Sequence, residues 1–312
     1  VINNKPGVSE EKRKEIIEKM IEMGCEHLLK EVSIDKGTIG FVVYKCRGEV
    51  IDEFPFFNYL IENISKTFAL SRYNMNIFYL EADWPLKDQI DVLINSNCVG
   101  FVVYAVEMFS RDLAAFQQTN IPCVFLDNSF PTEEVDAVSI DNYLGMHQVI
   151  SYLHAMGHKR IGYIRSEVKI QSFLDRFEAF KKEWKSLDES DIISVAYTEP
   201  KTSIDIQRQI SIKTSLPSVF FADNDLLACR AVQVFKTLGF DVPNDISIIG
   251  FDDRPICDFS DPPVTTISIP RNDMGKRAVD VLVDKLEGRS CSNQKVLIGT
   301  KLIERKSVKR YI

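Results

Sequence analysis

Most fingerprints of catalysis are missing from this chain of 312 residues. There is no G-x-S-x-G, no G-x-x-x-x-G-K-[ST] and no G-x-G-x-x-G. The nucleophile elbow, the phosphate-cradling loop and the dinucleotide turn are therefore excluded. No H-x-x-E-H and no C-x-x-C occurs, so no metal site is expected. Neither a catalytic residue nor a cofactor is assigned, and the chain reads as a non-enzyme. The seven cysteines are odd in number and scattered, which argues against a disulfide framework and fits a reducing cytoplasm. No run of 18 apolar residues is present, so no membrane span is expected. Residues 1–7 lack the basic start and apolar block of a signal peptide. Positive charge is also short: 38 Lys and Arg stand against 45 Asp and Glu, a net charge of −7. Phosphate neutralisation drives nucleic-acid affinity, so the bulk of this chain is not a DNA surface.

What is present is alternation. Residues 1–24 stand apart as one amphipathic helix, with Ser9 as its cap, Ile16, Ile17, Met20 and Ile21 on one face, and Gly24 as its stop. From residue 38 short apolar runs recur: 39–44, 77–80, 99–104, 123–126, 161–164, 193–197, 219–222 and 246–251. Amphipathic stretches of helical period lie between most of them. Apolar runs without alternation predict strands covered on both faces, and strand–helix–strand repetition predicts parallel sheets. Eight strands exceed one comfortable sheet, so the fold class is α/β with two doubly wound, Rossmann-like lobes. The pentapeptide Gly-Phe-Val-Val-Tyr occurs at 40–44 and again at 100–104. Its surroundings do not repeat, so it reads as shared buried-strand vocabulary.

In such sheets ligands gather at the carboxyl ends of strands. That rule selects Asp127 and Asn128, Asn224 and Asp225, and Asp252 and Asp253, each pair directly following an apolar run. Arg176 lies in the helical stretch after 161–165, and Phe56 and Phe57 open the helix after the first strand. Taken singly, each has a structural reading: Asp or Asn after a strand commonly caps the next helix, Arg176 could be a surface charge, and the phenylalanines could be core. Taken together they place carboxylates, an amide, a guanidinium and aromatic rings at one sheet edge. Paired planar hydrogen-bonding groups suit vicinal hydroxyls, and an aromatic face suits the C–H face of a sugar ring.

Several blocks then resemble the lactose-repressor (LacI/GalR) family of bacterial transcription regulators. They are Gly157-His158-Lys159-Arg160-Ile161-Gly162-Tyr163-Ile164, Ala222-Asp223-Asn224-Asp225, and Val242-Pro243-Asn244-Asp245 running on to Gly250-Phe251-Asp252-Asp253. Pro262-Pro263-Val264-Thr265-Thr266-Ile267 and Met274-Gly275-Lys276-Arg277-Ala278 keep the family's order. The resemblance implies a type I periplasmic-binding-protein-like core, two lobes joined by three crossovers with the effector between them. It implies a first lobe of 38–140 plus 270–289 and a second of 141–269 plus 290–312. It marks Asp127, Arg176, Asn224 and Asp252 as effector-binding, with Phe56 and Phe57 as stacking aromatics and Tyr44 at a first-lobe cleft position. Ile269 stands where many relatives carry glutamine. Residues 1–37 resemble the remnant of a helix-turn-helix headpiece and its linker. Asn3 falls at the tail of the recognition helix, so the base-reading residues are expected upstream. The resemblance implies a cytoplasmic homodimeric repressor that binds operator DNA in its full-length form and answers to a small polar effector, a carbohydrate. The alternative is a transport-type sugar-binding protein, which shares the fold but leaves the first helix without a role.

Overall fold

The computed structural model describes residues 8–23, 36–45, 48, 50 and 56–311. The first helix, α1 (Glu10–Glu22), starts where the sequence predicts: the Ser9 hydroxyl accepts from the Lys12 amide at 3.3 Å. Asn3 and Gly24 lie outside the described residues.

The chain then alternates. β1 (Thr38–Lys45), α2 (Phe56–Leu70), β2 (Asn74–Glu81), α3 (Leu86–Ile94), β3 (Cys98–Tyr104), α4 (Ser110–Gln117), β4 (Cys123–Leu126) and β5 (Asp136–Ile140) build the first lobe. α5 (Asn142–Ala155), β6 (Ile161–Ser166), α6 (Gln171–Glu183), β7 (Ile192–Val195), α7 (Lys201–Ser211), β8 (Val219–Ala222), α8 (Asp225–Thr237), β9 (Ser247–Ile249) and α9 (Ile256–Phe259) build the second. The chain ends with β10 (Thr266–Ser268), α10 (Arg271–Leu286), β11 (Lys295–Ile298) and β12 (Lys301–Ile303).

Among the described residues one sheet runs β11-β5-β4-β3-β1-β2 and the other β7-β6-β8-β9, every pair parallel. These are the two doubly wound lobes expected from the alternation. Three links join them: β5 into α5, β10 into α10, and β11 into β12. The last two pair as a short antiparallel ladder, Thr266 opposite Ile303.

One boundary moves. The resemblance puts all of 290–312 in the second lobe, but β11 pairs with β5 in the first sheet, Val296 opposite Val138. The final crossing therefore falls between Ile298 and Lys301. β11 alternates half-buried and exposed positions, as an edge strand does, and has no continuous apolar run to announce it. β5 was hidden for another reason: it is wholly buried but carries Asp136 and Ser139 inside. Asp136 earns its burial by accepting from Lys285 and from the Gln294 amide.

The repeated pentapeptide acquires a packing role. β1 and β3 are neighbours shifted by one residue, so Gly40 of one copy lies beside Phe101 of the other. A Cβ on Gly40 would come within 2.4 Å of the Phe101 ring. The second lobe repeats the device, with Gly162 beside Phe220 and a Cβ there 2.3 Å from its ring. The family-like block around Gly162 is otherwise structural: His158 pairs with the Ser218 hydroxyl and the Lys309 carbonyl, and Arg160 grips the buried Asp191 with two bonds of 2.6 Å.

Gly162→Ala should therefore overpack the second sheet and destabilise it by about 1–3 kcal/mol. Urea unfolding measures this, and adding Phe220→Leu should recover part of the loss, so the two changes together cost less than their sum.

Candidate functional site

A cleft opens where the carboxyl ends of the two sheets meet. Asp127 and Tyr104, beyond β4 and at the end of β3, face Arg176, Asn224 and Asp252 from the second lobe. The space is about 570 Å³ including its open mouth. The four polar residues that the resemblance marks, Asp127, Arg176, Asn224 and Asp252, all line it.

Arg176 is the structural centre of the cleft and is only 3% exposed. α6 delivers it beneath the second-lobe strands. Its Nε donates to Asn142 Oδ1 at 2.9 Å, one terminal nitrogen to the Asp223 carbonyl at 2.5 Å, and the other to Asp252 Oδ1 at 3.0 Å. The guanidinium also lies 3.7 Å from the centroid of the Phe251 ring. A planar cation held in plane by three acceptors and stacked on a ring is preorganised, and lysine could not reproduce it.

Asn224 uses both ends of its amide. Its Oδ1 accepts from the Leu227 amide and caps α8, while its Nδ2 donates to the Tyr197 hydroxyl at 2.8 Å. Capping thus orients the amide for the cleft. Tyr197 in turn packs against Phe173, an aromatic of the cleft wall.

Asp127 differs from its neighbours. It is half-buried, and among the described residues no hydrogen-bond donor reaches its carboxylate. Burial, then the charge of Asp252, pushes its carboxyl up to about 7 against the pull of Arg176 and Arg271. The backbone adds strain: Asp127 sits at φ 65° and Asp252 at φ 112°, left-handed conformations that cost non-glycine residues roughly 1–3 kcal/mol each. Such strain concentrates where a side chain must be aimed rather than packed.

Other groups complete the site, Asp225 from the strand-end rule and Asp223, Arg254, Arg271 and Glu107 without any mark in the sequence. Asp225, fully buried, accepts from the Arg254 amide at 2.7 Å and the Thr266 hydroxyl at 2.5 Å; burial and the Asp252 charge raise its carboxyl to about 7. Asp223 is raised to about 6 by burial, although Tyr163 and the Ser166 amide both donate to it. Arg254 and Arg271 bring further cations: Arg254 lies 3.8 Å from Asp252, and Arg271 donates to the Asp252 carbonyl. Nothing in their local sequence distinguishes them from surface arginines. Glu107, also buried, accepts from the Gly48 and Val50 amides at 3.0 and 2.9 Å, and Val50 touches the cleft.

Other expectations fare differently. Tyr44 does not line the cleft; it is 6% exposed and belongs to the core cluster that includes Leu80 and Phe101. Tyr104, at the end of the neighbouring strand, holds the cleft position instead. β1 and β3 share a pentapeptide ending in tyrosine, so sequence alone offers two candidates and no means of choosing. Phe56 and Phe57 begin α2, but their side chains lie outside the described residues. Ile269 lines the cleft as an apolar wall. Asn128 turns away and donates to the Ala105 and Met108 carbonyls. Among the described residues no cluster of His, Cys, Asp or Glu is arranged to hold a metal ion.

Residues 150–308 match the periplasmic binding protein-like domain family. The chain is 26% identical over 279 residues to the HTH-type transcriptional repressor PurR of Histophilus somni, covering 87% of this chain and 81% of that protein. To PurR of Pasteurella multocida it is 30% identical over 229 residues, covering 72% and 68%. Among solved structures it is similar to the complex of the transcriptional regulator CelR with cellobiose, with a TM-score of 0.77 at 20% identity, covering 98% and 93%.

The raised carboxyl of Asp127 has a consequence for stability. The folded protein binds its proton up to about pH 7, the unfolded chain only to about 3.9. The native state is therefore penalised as pH rises through that window. Asp127→Asn lacks the penalty, so its stability relative to the parent should improve steadily between about pH 4 and pH 7 and level off above. Urea melts at pH 5 and pH 8 test this; an equal difference at both would contradict the burial argument.

Proposed function

The chain belongs to the LacI family of transcription regulators, a non-enzymatic family with periplasmic-binding-protein-like cores, and on that premise we propose that its interlobe cleft senses a small polar effector, a sugar. One observation carries the reading. The carboxylate of Asp127, which no donor among the described residues reaches, belongs to the first lobe, and the preorganised Arg176–Asp252 pair faces it from the second. A ligand that hydrogen-bonds both must hold the two lobes together. Vicinal hydroxyls donate to Asp127 and accept from arginine, and the ring's C–H face can lie on Tyr104 or Phe173. The sugar held by CelR, a protein of the same fold, supports that class.

Two lobes hinged on three short links give closure a mechanical basis. The first lobe comprises 38–140 with α10 and β11, the second 141–269 with the residues after β11. In the full-length homodimer, closure in each core alters the spacing of the DNA-binding headpieces and hence operator affinity. A coupling of about 1–3 kcal/mol suffices for such a switch. We place this regulator in the cytoplasm, in keeping with its cysteine usage.

The geometry also revises which variants are informative. Arg176→Ala is the obvious variant against an effector. Buried as it is, with Asp252 as partner, Arg176 should on removal cost roughly 3–5 kcal/mol of stability. Asp127→Asn and Asn224→Ala are gentler. A thermal-shift screen of the parent against sugars, sugar acids and sugar phosphates should find a ligand that adds about 2.7 kcal/mol at 100 times its dissociation constant. By calorimetry that ligand should bind at least about tenfold more weakly to Asp127→Asn. A sugar that binds Asp127→Asn and Asn224→Ala as tightly as the parent binds elsewhere, and the proposal then fails.

A further inference from the structure

The polar groups of the cleft are unevenly divided between the lobes. Arg176, Asn224, Asp252 and Arg254 all come from the second. The first lobe contributes Val106, Ile140 and the Tyr104 ring, and among the described residues Asp127 is its only charged group there. Ile269, on the crossover into α10, and Ile170 and Phe173, at the start of α6, continue the apolar surface. These six apolar and aromatic residues line the cleft yet are at most 6% exposed, so little water reaches them. Phe173 is held in place by Tyr197, with ring centroids 6.2 Å apart, and by the Arg176 guanidinium, 5.7 Å from its own centroid.

A free sugar carries hydroxyls around its whole rim. Asp127 and the second-lobe groups can serve one edge of it. Hydroxyls on the other edge would be buried against Val106, Ile140 and Ile269, where nothing can bond them, and that burial is costly. We propose that the effector is a glycoside with a flat apolar aglycone, an aryl glycoside, rather than a free sugar. The inference rests on the sugar reading of the cleft and specifies which derivative it takes. The sugar's diol meets Asp127, Arg176 and Asp252. The aglycone lies between Ile170 and Phe173 of the second lobe and Val106 and Ile140 of the first, with Ile269 at its edge. A charged or polar aglycone would leave its own groups unmatched on these walls. Closure on the aryl ring would bury hydrocarbon from both lobes at once, which adds a non-directional attraction to the hydrogen bonds across the hinge.

Calorimetry of the full chain against matched phenyl and methyl glycosides of glucose, galactose and mannose, in both anomers, tests this. In at least one pair the phenyl member should bind about tenfold or more tightly, because its ring exchanges water for hydrocarbon. Ile269→Gln sets an amide into that wall, and the ratio of phenyl to methyl affinity should fall about fivefold or more. Asp127→Asn addresses the hydroxyls, so it should weaken both members of the pair and preserve their ratio. If every methyl glycoside that binds does so as tightly as its phenyl partner, the aglycone inference is overturned and the sugar reading stands. A ratio unchanged in Ile269→Gln also overturns it, since the aryl ring then lies elsewhere. Binding of neither member of any pair ends both readings.

Discussion

The second lobe's half of the cleft depends on one buried guanidinium. Arg176 reaches from α6 to Asn142 at the first crossover, to the Asp223 carbonyl beyond β8 and to Asp252 beyond β9, while Phe251 stacks beneath it. Two loops and one interlobe link are thus registered against a single rigid fork. A buried cation without partners would be costly, so the arrangement holds only when all its acceptors are in place. Specific geometry, more than stability, is what such a centre supplies.

Around it the cleft is crowded with carboxylates. Asp127, Asp223, Asp225 and Asp252 share a low-dielectric space with Arg176, Arg254 and Arg271. Burial drives three of these carboxyls upward because the arginines are already committed to backbone and side-chain acceptors. Among the described residues only Asp127 combines a raised carboxyl with a half-exposed position and no donor. It stands on the lobe opposite the guanidinium, so the polarity left unsatisfied lies across the hinge. In the proposed function, that placement is what lets one ligand bridge both lobes.

The lobes were legible because buried parallel strands write themselves as unbroken apolar runs, as 99–104 and 219–222 do. β5 and β11 were not, since one hides Asp136 and Ser139 inside and the other lies at an edge. Asp127, Arg176, Asn224 and Asp252 were legible because position after a strand, together with the family-like blocks, marks them. Arg254, Arg271 and Glu107 carry no such mark; Arg271 and Glu107 join the site through partners distant in the chain, and Arg254 through a loop that sets it beside Asp252. Tyr44 and Tyr104 end identical pentapeptides, and a one-residue shift between neighbouring strands decides which of them meets the cleft.

By itself the sequence determined the α/β alternation, the two-lobe partition in outline, and the identities of the four polar groups that converge, because strand burial and strand-end position are local properties of the chain. Tertiary structure alone decided the strand order that returns β11 to the first lobe, the network that locks Arg176, and the isolation of the Asp127 carboxylate. These are relations between segments up to 160 residues apart, such as the pairing of Val296 with Val138, and no local pattern encodes them.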